Sequence, residues 1–308
     1  MARFLFFRLI YIIIVMMGVT FIVFGLSRMS GDPRLLYMTP GSRWSQEAWD
    51  ARGKDLGLDK PFMVQYLLWA GRAAQGNFGD SVWHKRNSLD VIIERAPATL
   101  KLSSVSYIMA IFLGLSLGIL SAVNRGNFFD LFIRGFALIG QAAPPFWIAI
   151  LLIYFFAVHL DWVPTSRTGG WSNYILPVAT LAWLASAGIA RITRSALLEV
   201  LDSEYVKLAR AKGVTNVKVI LKHAFRNALI APLTVAAVLF ASFITGTVVV
   251  ETVFAWPGLG RLLVEATRHN DFPLVTGLAV IFSGIFLLSS LMADILYAVI
   301  DPRIRIFK

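Results

Sequence analysis

Six apolar, uncharged runs divide this chain, at 9–27, 102–124, 135–158, 168–190, 227–250 and 272–293. A membrane-crossing helix needs about 20 mostly apolar residues, and each run reaches or approaches that length. Lipid offers no partner to backbone N–H and C=O groups, so such runs must satisfy them internally as helices. Trimming the flanks predicts spans at 9–26, 102–123, 135–157, 174–190, 231–250 and 274–298. The fourth is the least regular, with Gly169, Gly170, Ser172 and Asn173 at its start. The expectation is an all-α membrane protein with six transmembrane helices, an even number that leaves both termini on one side. Composition agrees: hydrophobic residues make up 57% of the chain and charged residues 15%, with a mean hydropathy of +0.69. That excludes an ordinary soluble domain.

Arg3 and Arg8 precede the first run as they would in a secretory signal. The run is longer than a signal core and no A-x-A cleavage site follows, so it reads as an uncleaved anchor. Basic residues set the orientation. With the N-terminus inside, the inner segments hold Arg3, Arg8, Arg125, Arg134, eight residues within 191–226, and Arg303, Arg305 and Lys308. The short outer loops hold Arg167, Arg261 and Arg268. The long segment 28–98 has ten basic and eight acidic residues, which nearly cancel, and it is too long to weigh in the rule. Most of the formal +11 therefore lies on the inner side. The charge is spread along membrane flanks, which speaks for topology and against nucleic acid as a partner.

Three regions follow: an N-terminal anchor helix over 1–27, an external domain over 28–98, and a five-helix core over 99–308. In the external domain 44–55 reads as a short helix with Ser45 as N-cap. Residues 62–75 read as a second, with Phe62, Tyr66, Leu67 and Trp69 on its apolar side and Gly76 as its stop. Pro97 is expected to end the segment before the second span. So small a domain has to rest on the membrane portion or on a partner.

Within the spans, Ala110, Gly114, Gly118 and Ala122 recur at i, i+4, a stripe that lets another helix approach closely, within this subunit or beyond it. Pro144-Pro145 interrupts the third span as a kink or a gate hinge. Polar groups that would face an interior or a path are Gln141, Thr234, Ser242, Thr245, Thr252, Ser283, Ser290 and Asp294. From these, Gln141, Pro144, Ser242, Thr245 and Ser290 are the candidates for a translocation path. Asp294 reads as a structural partner or a relay. All four histidines, at 84, 159, 223 and 269, fall outside the spans. An intramembrane serine hydrolase would therefore lack its base. There is no H-E-x-x-H and no cysteine, hence no thiolate metal site. The only Gly-Lys pair, Gly53-Lys54, is followed by Asp55, so no phosphate-cradling loop exists and the chain lacks that route to ATP hydrolysis.

Residues 191–230 form the largest inner segment. Leu197, Leu198, Leu201, Tyr205 and Leu208 recur at helical spacing, with Lys207 and Arg210 off that stripe. Gly213 breaks the helix. Lys218, Lys222 and Arg226 then sit at i, i+4, i+8 beside a face of Val217, Leu221 and Phe225. Two readings stand: an amphipathic helix on anionic lipid, or a docking element for a soluble partner.

The run Tyr205-Val-Lys-Leu-Ala-Arg-Ala-Lys-Gly213, followed by His223-Ala-Phe-Arg-Asn227 and Pro232, resembles the cytoplasmic coupling loop of ABC importer permeases of the dipeptide/oligopeptide/nickel family, in the first-permease branch. Gly31-Asp-Pro33, Leu56–Pro61, Gln65-Tyr66, Arg95–Leu100, Leu176-Pro177, Arg191-Ile-Thr-Arg194, Glu251-Thr-Val-Phe254, Pro257-Gly-Leu-Gly260 and Asp301-Pro-Arg303 extend the match nearly end to end. It departs at Lys207, where the general pattern has Glu, and at Asn77, where Asp is frequent. The resemblance implies the type I importer permease fold with cytoplasmic termini, in a bacterial or archaeal cytoplasmic (inner) membrane. It implies pairing with a homologous second permease, two ABC ATPase subunits that carry the ATP and Mg, and an extracytoplasmic substrate-binding protein. This chain would bind no cofactor and catalyse nothing. The implied ATPase-docking residues are Glu204, Tyr205, Lys207, Ala209, Arg210, Ala211, Gly213, Lys218, His223, Arg226 and Asn227. A self-sufficient secondary transporter or channel is the competing expectation.

Overall fold

The computed structural model describes residues 2–29, 32, 34, 45–165 and 169–300, apart from the side chains of 2–5, 241, 244, 245 and 296–300. Gly31, Pro33, Trp44, Arg167 and everything from Asp301 onward lie outside the described residues, as does the side chain of Thr245. Among the described residues the regular elements are helices, with one isolated antiparallel bridge between Asp80 and Asn87. The helices are α1 (Ala2–Met29), α2 (Gln46–Asp55), α3 (Phe62–Ala74), α4 (Ser88–Val123), α5 (Phe128–Ala142), α6 (Pro145–Leu152, continued by a π-turn over Ile153–His159) and α7 (Ser172–Leu201). There follow α8 (Glu204–Ala211), α9 (Asn216–Lys218, continued by a π-turn over Val219–Ala224), α10 (Phe225–Ala228), α11 (Ile230–Thr245), α12 (Val248–Val253), α13 (Leu259–Arg268) and α14 (Phe272–Ile300).

By length and composition α1, α4, α7 and α14 are each able to cross a membrane. Two bent pairs raise the number to six if each is one span: Phe128–Ala142 with Pro145–His159, and Asn216–Ala228 with Ile230–Phe240. The first pair turns through 116°, so the apolar run 135–157 is not one straight helix. The cause is local. Ala143 precedes a proline and takes an extended conformation, at φ −81° and ψ 137°. Pro144 then serves as N-cap and Pro145 as the first residue of α6, where a missing N–H costs nothing. Pro97, expected as a terminator, lies inside α4.

The chain forms two compact units, residues 1–97 with 258–287, and 98–257 with 288–308. In the first, α3 packs along α1. The Tyr66 hydroxyl donates to the Met17 carbonyl at 3.2 Å and lies 2.9 Å from Thr20 Oγ1. Phe24 is buried with Tyr66 and Trp69. The second of the predicted short helices thus finds its partner within the chain. Ser45 caps α2, its Oγ accepting from the Ala48 N–H.

In the second unit α7 is the central post. The stripe of small residues on α4 meets it: a Cβ added at Gly114 would stand 2.6 Å from Ile189 Cβ, and one at Gly118 2.5 Å from Thr193 Cβ and 2.7 Å from the Ala190 carbonyl oxygen. The stripe therefore serves packing inside this subunit. On the other flank Phe136 of α5 stacks on Trp183 with ring centroids 4.6 Å apart, and Trp183 Nε1 donates to the Phe136 carbonyl at 3.2 Å. The core of this unit gathers Leu102, Ala110, Ala149, Leu176, Ala182, Phe243, Val250 and Trp256.

Candidate docking and coupling surface

At the end of α7 the chain turns twice and returns. Asp202 and Ser203 break the helix, and α8 begins at Glu204, so the apolar stripe expected from Leu197 through Leu208 is not continuous. Val206 is completely buried, whereas Tyr205 and Leu208 are 44% and 57% exposed. Val206 joins Ala122, Leu197, Val219, Ala224 and Ala228 in a small apolar cluster, with Ala209 and Val214 packed on it. That cluster holds α8 and α9–α10 on the ends of α4 and α7.

Gly213 shapes the turn between them at φ +78°. Its N–H donates to the Arg210 carbonyl at 2.9 Å, and the Val214 N–H donates to the Ala209 carbonyl at 3.2 Å. This reciprocal pair closes a helix through a left-handed residue. No atom would crowd a Cβ there, so the glycine answers to backbone conformation alone.

Beyond the turn, the π-turn over Val219–Ala224 shifts the register by one residue. The buried positions become Val219, Ala224 and Ala228, while Val217 and Leu221 face outward at 65% and 54% exposure. The expected face of Val217, Leu221 and Phe225 is accordingly split, with only Phe225 against the cluster.

Tyr205, His223 and Asn227 come together: Asn227 Nδ2 donates to the Tyr205 hydroxyl at 2.9 Å and to the His223 carbonyl at 3.3 Å. This ties α8 to α10. Lys207 pairs with Glu204 at 2.8 Å along the exposed side of α8. Arg210, Ala211, Lys218 and Arg226 are exposed, and the three basic ones have no ion-pair partner among the described residues. The surface is an apolar base carrying outward cations and outward Leu208, Val217 and Leu221.

Of the path candidates, Gln141 and Pro144 are exposed at the α5–α6 break, Ser242 is exposed on α11 and Ser290 is half-buried on α14. The hydroxyls of Thr234 and Thr252 bond back to the carbonyls of Ile230 and Val248 at 2.9 and 2.7 Å. Two buried carboxylates hold places that the sequence reading did not assign: Asp130 was not singled out, and Glu251 stood only within the Glu251-Thr-Val-Phe254 run. Asp130 accepts from Arg194 Nε at 2.8 Å and Nη2 at 2.9 Å, from Ser121 Oγ at 2.6 Å, and from the Gly126 N–H at 3.1 Å. It thereby pins the α4–α5 turn to α7. Glu251 is fully buried. It accepts from Thr99 Oγ1 at 2.6 Å and Thr247 Oγ1 at 3.0 Å, while Trp256 Nε1 donates to the Ala98 carbonyl at 3.1 Å. These bonds fasten α12 to the start of the unit. An acidic residue directly after the apolar fifth run was the available signal.

Models of known families account for the chain in two pieces. The binding-protein-dependent transport system inner membrane component matches residues 114–306, and the N-terminal segment of such components matches residues 1–103. Among individual proteins, the chain is 37% identical to the oligopeptide transport system permease protein AppB of Bacillus subtilis, over 99% of this chain and 100% of that one. It is 39% identical to the glutathione transport system permease protein GsiC of Escherichia coli K12, over 89% of each. Among solved structures, the MetNI methionine ABC transporter in an inward-facing conformation aligns with a TM-score of 0.57 at 19% identity, over 68% of this chain and 96% of that one. An amino acid ABC transporter aligns with a TM-score of 0.55 at 18% identity, over 68% of this chain and 93% of that one. The chain belongs to the binding-protein-dependent transport system inner membrane components, as a permease of the dipeptide and oligopeptide group.

Proposed function

We propose that this chain is one of two permeases in an ATP-driven importer of peptides or related small solutes in a bacterial cytoplasmic membrane. The observation that carries this reading is the near end-to-end match to an oligopeptide permease and to a glutathione permease. Six spans with both termini inside fit the distribution of basic residues. The surface from Glu204 to Asn227 then lies in the cytoplasm and receives one of two ATPase subunits, which carry ATP and Mg. A homologous permease completes the path, and a binding protein delivers substrate from outside. This chain performs no chemistry. Closure of the ATPases acts on α8, and the cluster around Val206 passes the displacement to α4 and α7, which biases the transporter between inward- and outward-facing states.

Reconstitution tests the reading. In proteoliposomes the full complex should accumulate a labelled peptide only when ATP is present on the ATPase side. The chain by itself should accumulate none. Uptake by this chain alone, without ATPases, overturns the proposal in favour of a self-sufficient carrier or channel.

A further inference from the structure

A cavity of about 280 Å³ lies in the second unit between α4, α5 and α7. Arg134, Arg191 and Arg194 share its wall with Ile133, Ala137 and Leu138. Arg194 is committed to Asp130, whose two oxygens are already occupied by Arg194, Ser121 and the Gly126 N–H. Arg134 Nε stands 4.0 Å from Asp130 Oδ1, outside hydrogen-bond distance, with its side chain 55% exposed. Arg191 is exposed and has no ion pair among the described residues. Two guanidinium groups therefore border the cavity without a full counter-charge.

Ser121, Gln141 and Ser195 add polar groups to the wall, and its apolar part leads outward. Leu138 lines the cavity and is 69% exposed. Ile139 beside it, also on the membrane side of Arg134, is 50% exposed. Uncompensated charge beside lipid-facing surface is costly. The ligand that meets both demands has an anionic head and an apolar tail. Guanidinium forks match the oxygens of a phosphate, and basic pockets between membrane helices hold anionic headgroups in this way.

We propose that this cavity binds an anionic phospholipid, with Arg134 and Arg191 on the phosphate and an acyl chain running into the membrane along Leu138 and Ile139. Ser121 and Arg194 of the same region adjoin Ala122 and Leu197, which support α8. The lipid thus sits at the end of the unit where the coupling surface is anchored.

Native mass spectrometry of the complete transporter tests this, after equilibration in nanodiscs of equal phosphatidylglycerol and phosphatidylcholine and gentle detergent extraction. Phosphatidylglycerol should be retained in preference to phosphatidylcholine. Arg134→Gln with Arg191→Gln should lower that retention about thirtyfold, given roughly 1 kcal/mol per basic residue at an anionic surface. Arg134→Lys with Arg191→Lys keeps the charge and should retain most of it, and soluble glycerol phosphate should not displace the lipid. Equal retention of both lipids in the unaltered complex overturns the proposal, as when a carboxylate of the second permease fills the cavity. So does unchanged retention in the double glutamine variant, and displacement by glycerol phosphate would make the site one for soluble anions. If the glutamine pair does not assemble, the lipid comparison and the lysine pair decide. Uptake is not read here, so failure of this proposal is distinct from failure of the importer reading.

Discussion

Gly118→Leu is expected to abolish recovery of a folded, monodisperse protein. At this position even a methyl would sit 2.7 Å from the Ala190 backbone oxygen and 2.5 Å from Thr193 Cβ. A backbone atom of a packed helix cannot rotate away as a flexible side chain would, so α4 and α7 must separate. Overpacking in a well-filled core costs about 1–3 kcal/mol, sometimes more, and a leucine here stands at or above the top of that range. Separation would also pull on the Asp130–Arg194 contact and on the cluster beneath α8, both of which depend on α7. Gly118→Ala should lower the melting temperature measurably. Gly135→Ala is the control, because a Cβ there meets nothing within 4 Å and alanine favours helix by about 1 kcal/mol. The readout is fluorescence-detected size-exclusion chromatography with a thermal ramp. A Gly118→Leu protein that elutes and melts like the unaltered chain would refute the packing account of the small-residue stripe.

Gly213→Val should leave insertion and assembly intact and reduce ATP-driven uptake about tenfold or more. Here the obstacle is conformational, since space around the residue is open. A residue other than glycine at φ +78° costs about 1–2 kcal/mol, and a β-branched one more. The chain relieves this by changing the turn, which re-aims α8 against α9–α10 and breaks the Tyr205–Asn227 hydrogen bond. Gly213→Asn separates conformation from size, because asparagine tolerates the left-handed region; it should keep most of the uptake. If valine and asparagine behave alike, the turn geometry is not what transmits motion.

These two positions also mark how much was legible beforehand. The stripe on α4 was visible as a pattern, and its glycines could be assigned to close packing, but not to a partner. Contact with α7 depends on how the helices assemble. The break at Gly213 was legible because glycine punctuates a helical pattern for a local reason. The faces around it were not. A strict 3.6-residue period places Tyr205 and Leu208 inward, but Asp202 and Ser203 reset the phase and Val206 takes the buried place. A π-turn after Lys218 then adds a residue and moves Val217 and Leu221 outward. Pro97 and Pro144-Pro145 teach the same lesson in opposite directions. One proline is absorbed inside α4, whereas the pair turns the chain by 116°, because two successive ring constraints and an extended Ala143 leave no helical path. The role of Glu251, as distinct from its place in a recognisable run, was hidden for another reason: it rests on Thr99, 152 positions away in the chain.

The central claim is that the exposed side of α8 receives the ATPase on the cytoplasmic face. The chain contains no cysteine, so Leu208→Cys would be its only thiol, at a position 57% exposed. Labelling with a membrane-impermeant maleimide, from each side of the membrane and with or without the ATPase subunits, tests the claim directly. The account predicts reaction from the cytoplasmic side only, and protection when the ATPases are bound. Reaction from the outside, or cytoplasmic labelling that the ATPases leave unchanged, would contradict it.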